Sequence, residues 1–420
     1  MMPTLRRRDY LKTLAGSLGG LSLGGPRSSA FAAAPAESPA KKSIAAIVTV
    51  YHHNSHADVL LTKILEGWKH DGGPGPALSL ASMYVEQFPK GDMARDMSAK
   101  HGVPMFESIE QAITVGSDGI PVDGVILIGE HGNYPWNEKE QHLYPRRRFF
   151  AETTDTFAKY GRVVPVFHDK HPGPQWDDAK WMYDRAREMK VPFMAGSSLP
   201  VSFREPDLSI PMGSELEGAV GIGYSGLDVY GFHALECYQA FVERRRGAEQ
   251  GVKSVQFHEG PDVWRVLDDG TVSGELFEAA LAATPHRGKV DPRDDPRSAL
   301  FLFEYVDGFT GALFMLQTVN RSAVAVKLSN ESEPRACHFA ERPEPRYPHF
   351  AYLLKAIERM MHTGRPTYRV ERTMLTAGIL DRALTSRHEG GRKLDTPELQ
   401  IAYEPVDYPH APQPDLLLQP

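Results

Sequence analysis

Apolar positions along the chain fall into two grammars. Ile44 to Val50 is an apolar run, the pattern of a strand covered on both faces. Ala57, Leu60, Leu61, Ile64 and Leu65 then recur at helical spacing and give one apolar face. The stretch from His70 to Pro76 breaks the chain with glycine and proline, and Leu78 to Val85 reads as a second strand. A helix is predicted from Met93 to His101, closed by Gly102 as a left-handed cap. Val122 to Ile128 and Arg162 to Phe167 read as buried strands, Asp178 to Lys190 as a helix, and Val191 to Ala195 as another strand. This alternation predicts a Rossmann-like, doubly wound parallel sheet over residues 43–198.

Past Leu199 the grammar changes. Ala299 to Gln317 is two β-rich runs around an Asp307-Gly308 turn, a hairpin signal. Phe350, Leu353, Leu354, Ile357, Met360 and Met361 mark an amphipathic helix stopped by Gly364 and Pro366, and a second helix covers Val370 to Ser386. Residues 199–420 are therefore predicted to form an α+β domain with a mostly antiparallel open sheet.

The first residues carry a different signal. Arg6 to Lys12 (RRRDYLK) is a twin-arginine pattern, followed by a mildly apolar stretch and small residues from Ala30 to Ala34. Residues 1–34 thus read as a twin-arginine signal peptide and 35–42 as a linker, which places the mature chain in the periplasm or outside the cell. No other segment approaches about 20 uninterrupted apolar residues, so no membrane span is expected. The net charge of −7 argues against nucleic acid as the partner. Arg146 to Arg148 and Arg244 to Arg246 are short basic runs in helix-like stretches and read as solvated faces. Cys237 and Cys337 are the only cysteines; in an oxidising compartment they are free to pair, and they exclude a cysteine-based metal site.

In an open parallel sheet, ligands bind beyond the carboxyl ends of the strands, where strand order reverses. Three predicted strand tips carry imidazole and carboxylate there: Tyr51-His52-His53-Asn54-Ser55-His56, Gly129-Glu130-His131-Gly132, and His168-Asp169-Lys170-His171. With strand order 3-2-1-4-5-6 these tips are neighbours facing one crevice. Two readings stay open. His52, His53, His131 and His168 suit a divalent metal. Alternatively, some of them bond loop backbone or solvent, and the crevice takes a small polar ligand.

The chain resembles the glucose–fructose oxidoreductase / inositol dehydrogenase (Gfo/Idh/MocA) family over roughly residues 43–405. Phe167-His168-Asp169-Lys170-His171 stands where that family has Glu-Lys-Pro. Gly231-Phe232-His233-Ala234-Leu235-Glu236 fits its catalytic-histidine segment. FEYVDGFTGALFM and the helices from His349 to Ser386 look like its closing strands and helices. The resemblance implies NAD or NADP as cofactor, a small carbohydrate-like substrate, and a homo-oligomer formed through the C-terminal sheet. It also implies that Lys170 bonds the reacting hydroxyl and His233 acts as general base, with Asp169 and Glu236 in orienting positions. Glu86 would hold a ribose, with Tyr51, His53 and Glu130 beside the cofactor, and His56 lies where relatives also carry histidine. Two departures stand out. The acid expected four residues before the histidine is Val229, with Asp228 one step out of register. The glycines of G-x-G-x-x-G fall on Val48, Val50 and His53, and β-branched residues there obstruct both a positive φ and the approach of a pyrophosphate.

Three functions follow: an exported NAD(P)-dependent oxidoreductase of sugars or polyols, a non-redox carbohydrate-active enzyme (hydrolase, lyase or isomerase, metal-assisted or not), and a non-catalytic binding protein on the same fold.

Overall fold

The computed structural model describes residues 40–412; the twin-arginine segment and most of the linker lie outside the described residues. The first sheet is built from β1 (Lys42–Val48), β2 (Leu78–Val85), β3 (Met105–Phe106), β4 (Gly124–Ile128), β5 (Val166–Asp169) and β6 (Phe193–Gly196). Between them run α1 (His56–Glu66), α2 (Ala94–His101), α3 (Ile109–Thr114), α4 (Arg146–Tyr160) and α5 (Trp176–Glu188). The strand order is β3-β2-β1-β4-β5-β6 and every pair is parallel. Strand order reverses between β1 and β4, so the crevice lies where the sequence placed it.

Alternation along each strand gives the sheet two apolar faces. Ile44, Ala46, Val48, Ile126 and Phe167 enter one core, while Ala45, Ile47, Val125, Leu127 and Val166 enter the other with α3, α4 and α5. The first core is closed partly by a late helix, α9 (Pro348–Thr363), whose Phe350, Leu353, Leu354 and Ile357 pack on β1, β2 and α1. Gly124 makes that approach possible, because a Cβ there would overlap the Met361 sulfur. Helix α9 therefore brings the chain back to the first sheet and walls the crevice with Phe350.

The second sheet contains β7 (Phe203–Glu205), β8 (Leu216–Tyr224), β9 (Val252–Glu259), β10 (Ala299–Tyr305), β11 (Thr310–Leu316), β12 (Ala323–Leu328), β13 (Arg335–Ala340) and β14 (Leu394–Asp395). Its order is β14-β9-β10-β11-β8-β12-β13-β7, antiparallel except for the β8–β11 pair. The hairpin β10–β11 turns at Asp307-Gly308 as expected, with Gly308 at φ 89°. One face packs on α6 (Val229–Val242) and α10 (Val370–His388). The other is covered by α7 (Asp262–Asp268) and α8 (Gly274–Ala283), whose Trp264, Val266, Leu276 and Phe277 meet Val220, Ile222, Phe314 and Ala325. Cys237 and Cys337 are buried free thiols.

Candidate active site

The three strand tips meet as the sequence indicated. Lys170 follows β5 with φ 69°, a left-handed backbone rarely taken by lysine, and its N–H donates to Gly196 O at 3.1 Å. The side chain reaches across to α6, where its ammonium donates to His233 Nε2. His233 Nδ1 lies 2.6 Å from Ser197 Oγ, which also accepts from Leu199 N at 3.1 Å. An Nε2 that accepts from lysine places the imidazole proton on Nδ1, so the ring donates to Ser197. Burial, and then the charge of Lys170, hold His233 well below the ordinary histidine range, so it is a neutral base.

Glu130 sits beneath this pair. Its carboxylate is 2.8 Å from Arg146 and 3.4 Å from Lys170, and all three side chains are almost wholly buried. Burial opposes its charge, yet Lys170 and Arg146 outweigh that effect and hold it well below the usual carboxylate range. Arg146 also donates through Nε to Gly129 O at 2.9 Å and approaches the His171 ring at 2.8 Å. The first arginine of the 146–148 run is thus a buried anchor. Arg147 and Arg148 are partly exposed and pair with Asp178 and Glu86. In the second basic run, Arg245 is likewise buried, on Glu249 and Asp307.

Asp169 accepts from His56 Nδ1 at 2.6 Å, which leaves Nε2 as the free nitrogen of His56. His56 packs edge-on against His131 and Phe350, with ring centroids 5.6 and 5.0 Å away. A cavity of about 280 Å³ opens here, lined by Lys170, His233, Glu130, His56, His131 and Tyr230 among others. It joins an acid (Lys170), a neutral base (His233) and a carboxylate-oriented imidazole (His56) in one polar hollow. A larger groove of about 810 Å³ on the second sheet, between Arg245, Lys327 and Asp307, lacks a comparable acid–base pair.

The metal expectation is corrected. Among the described residues no group of three or more His, Cys, Asp or Glu side chains is placed to hold a metal ion. His168 is fully buried in β5, with neither ring nitrogen bonded, and burial lowers it to about 3. His53 is exposed and lies 3.7 Å from Asp58; His52 bonds His53 O. Only His52 and His131 approach each other, at 5.2 Å between ring centroids.

The residues at the tips of β1 and β2 are engaged within the chain itself. Val48 and Val50 are core residues, and Tyr51, fully buried, bonds Thr62 at 2.6 Å rather than facing a ligand. The Thr49 hydroxyl donates to Glu130 O at 2.5 Å and ties β1 to the β4 tip. Helix α1 begins with a closed cap: Ser55 Oγ accepts from Asp58 N at 3.2 Å, and the Asp58 carboxylate accepts from Asn54 N at 2.8 Å. Asp58 is also paired with Arg346 at 3.0 Å. A pyrophosphate would need those helix-terminal donors. Glu86 accepts from Tyr134 at 2.9 Å, from Tyr84 at 3.3 Å and from Arg148. Gln87 exchanges two bonds with Asn133, at 2.9 and 3.2 Å, so the loop after β4 lies over the tip of β2. In this arrangement the residues do not fit a dinucleotide. Glu236 is buried behind the site, holding Thr376 at 2.8 Å and Ser197 N at 3.4 Å; it braces the loop under His233 and does not line the cavity.

Sequence reasoning missed Arg146 and Tyr230, and gave His56 little weight. The signal for His56 was its place one turn from a buried strand tip. Its partner Asp169 lies too far along the chain for any local pattern to show.

Comparison with solved structures gives the class of fold. GenD2 from gentamicin A biosynthesis, solved in complex with NAD, superposes with a TM-score of 0.55 at 12% identity, covering 85% of this chain and 96% of that one. An apo scyllo-inositol dehydrogenase from Lactobacillus casei gives 0.53 at 10% identity, covering 85% and 98%. A myo-inositol 2-dehydrogenase from Lactobacillus plantarum gives 0.51 at 11% identity, covering 84% and 99%. The chain therefore has the two-part fold of these proteins, a parallel dinucleotide-type sheet followed by a mostly antiparallel one. No family model and no curated protein matches the sequence. No helix among the described residues is long and apolar enough to cross a membrane.

Proposed function

We infer that the chain is an exported enzyme related to the Gfo/Idh/MocA proteins, and that it transforms a sugar or polyol derivative by proton transfer in the Lys170–His233 crevice without a resident dinucleotide. The observation that carries this reading is the contact of Lys170 with the neutral His233 at the floor of a cavity, with the Glu130 carboxylate 3.4 Å from the lysine. A base, His56 through its free Nε2 or His233 once the Lys170 ammonium turns from Nε2 to the substrate oxygen, takes a proton from the carbon beside a carbonyl. The C–H electron pair forms a C=C bond, and the carbonyl oxygen takes up negative charge beside the Lys170 ammonium. Reprotonation of that enediol then isomerises or epimerises the sugar. Alternatively the enolate electron pair re-forms the carbonyl and expels a β-oxygen group, which leaves as an alcohol with the proton that the histidine took, and the product is unsaturated.

A second reading is an NAD(P)-dependent oxidoreductase on the same substrate class. The fold shared with GenD2, whose structure holds NAD, favours it. Turnover in D₂O separates the two. A panel of keto and uronic sugars, assayed without nucleotide, is expected to give carbon-bound deuterium (isomerisation) or an unsaturated product (elimination) with the wild type and neither with Lys170→Ala. Turnover that requires NAD(P) and incorporates no solvent deuterium would transfer the assignment to the oxidoreductase.

A further inference from the structure

A second hollow of about 390 Å³ adjoins the crevice, and the two share Val229 and Tyr230 as lining residues. Its most prominent wall is Trp136, which is 57% exposed, a large value for tryptophan. Trp136 is not a loose side chain. Its ring stacks on His142 at 4.2 Å and 15°, and His142 in turn lies 4.1 Å from Tyr144. Trp136 and His142 also pair as an antiparallel bridge in a small hairpin, closed by Asn137 N to Gln141 O at 3.1 Å. Lys139 and Gln141 pin that hairpin to Asp381 of α10 at 2.8 and 2.9 Å. One indole face is therefore held against His142, and the ring is presented at fixed orientation.

Asp228 supplies the polar element. It lines the same hollow and is more than nine-tenths buried; Oδ2 accepts from His142 N at 3.0 Å, and Oδ1 has no partner. A buried carboxylate oxygen without a donor is costly unless a ligand supplies one. A rigid aromatic face beside a carboxylate matches a sugar ring, which offers an apolar C–H face and hydroxyl donors at its rim.

We propose that the hollow between Trp136 and Asp228 is a second sugar subsite, so that the substrate is a disaccharide or glycoside with one ring at Lys170–His233 and the next on Trp136. This rests on the sugar-directed reading of the crevice and deepens it. The two cavities are close to the lower end of the roughly 300–1,000 Å³ typical of small-molecule sites, which suits one ring in each.

Isothermal titration of the full chain tests it, with D-glucose, D-galactose and D-mannose set against cellobiose, maltose, lactose and mannobiose. The wild type is expected to bind at least one disaccharide more tightly than its component hexoses. Trp136→Ala lowers that affinity by roughly three- to tenfold, to the hexose level, and leaves hexose binding unchanged. Trp136→Phe restores most of it, and Asp228→Asn weakens the disaccharide alone. Lys170→Ala weakens both classes, which tests the underlying reading separately. If Trp136→Ala and Asp228→Asn alter neither class, or weaken hexose and disaccharide alike, the subsite is wrong while the crevice stands. If no sugar binds the wild type, both fall.

Discussion

The two ends of one crevice have been treated differently by the sequence. At the β5–α6 end, the polar groups converge on space: Lys170, His233, His56 and Glu130 surround a cavity. At the β1–β2 end, equally polar groups converge on one another: Glu86 on Tyr134 and Arg148, Asp58 on Asn54 and Arg346, Gln87 on Asn133. The fold is the same throughout, and neighbours of that fold include an NAD complex. The difference teaches that a shared fold fixes where the polar groups of a site stand without fixing what they bond. What decides occupancy is whether the donors and acceptors at the strand tips are already satisfied.

The largest effect is expected from breaking the support of the open end. Arg146→Ala leaves Glu130 buried beside Lys170 alone and should destabilise the fold by about 3–5 kcal/mol in chemical denaturation, the usual cost of removing one partner of a buried pair. Lys170→Ala should leave the fold standing but lower turnover by roughly 10²–10⁴, measured as deuterium incorporation, since acid and oxyanion stabiliser are lost together. A loss below tenfold would place the chemistry elsewhere.

Acid should then expose the buried histidines. Burial lowers His131 and His70 to about 4, and His168 and His349 to about 3, against roughly 6.5 in an unfolded chain. Between those values the unfolded state binds more protons than the folded one, so their contribution to stability is full above about pH 6.5. It falls as pH drops and is lost once pH passes the folded values. Denaturant midpoints measured from pH 7 to 4 should decline, and His168→Asn should flatten part of that slope.

The closed end should respond more weakly. Tyr134→Phe removes one bond to Glu86 and should cost about 1 kcal/mol without altering turnover. Weakest of all, Arg147→Ala breaks a half-exposed pair with Asp178 and should change the midpoint by less than the equivalent of about 1 kcal/mol. A large effect of Tyr134→Phe on turnover would mean that the closed end is part of the working site.

Much of the fold was legible because buried parallel strands announce themselves as apolar runs. Ile44 to Val50, Leu78 to Val85 and Val122 to Ile128 coincide with β1, β2 and β4 to within a few residues. Helices α7 and α8 were not legible, since short amphipathic stretches such as Asp262–Asp268 carry too few apolar positions to show a period. In the site, Lys170 and His233 were found through their sequence surroundings, and the structure places them in contact. Arg146 was hidden because three consecutive arginines look alike in sequence, whereas only one of them points into the interior. His56–Asp169 and His142–Asp228 are tertiary pairs, and no local spacing encodes them.

The central claim is that the chain's own side chains occupy the dinucleotide's place. It is tested most directly by denaturing freshly purified protein, identifying the released small molecules by mass spectrometry, and titrating the native protein with NAD and NADP in a calorimeter. The expected result is no bound nucleotide and no heat of binding for either. Release of nucleotide near one per chain, or saturable binding of either cofactor, would contradict the account.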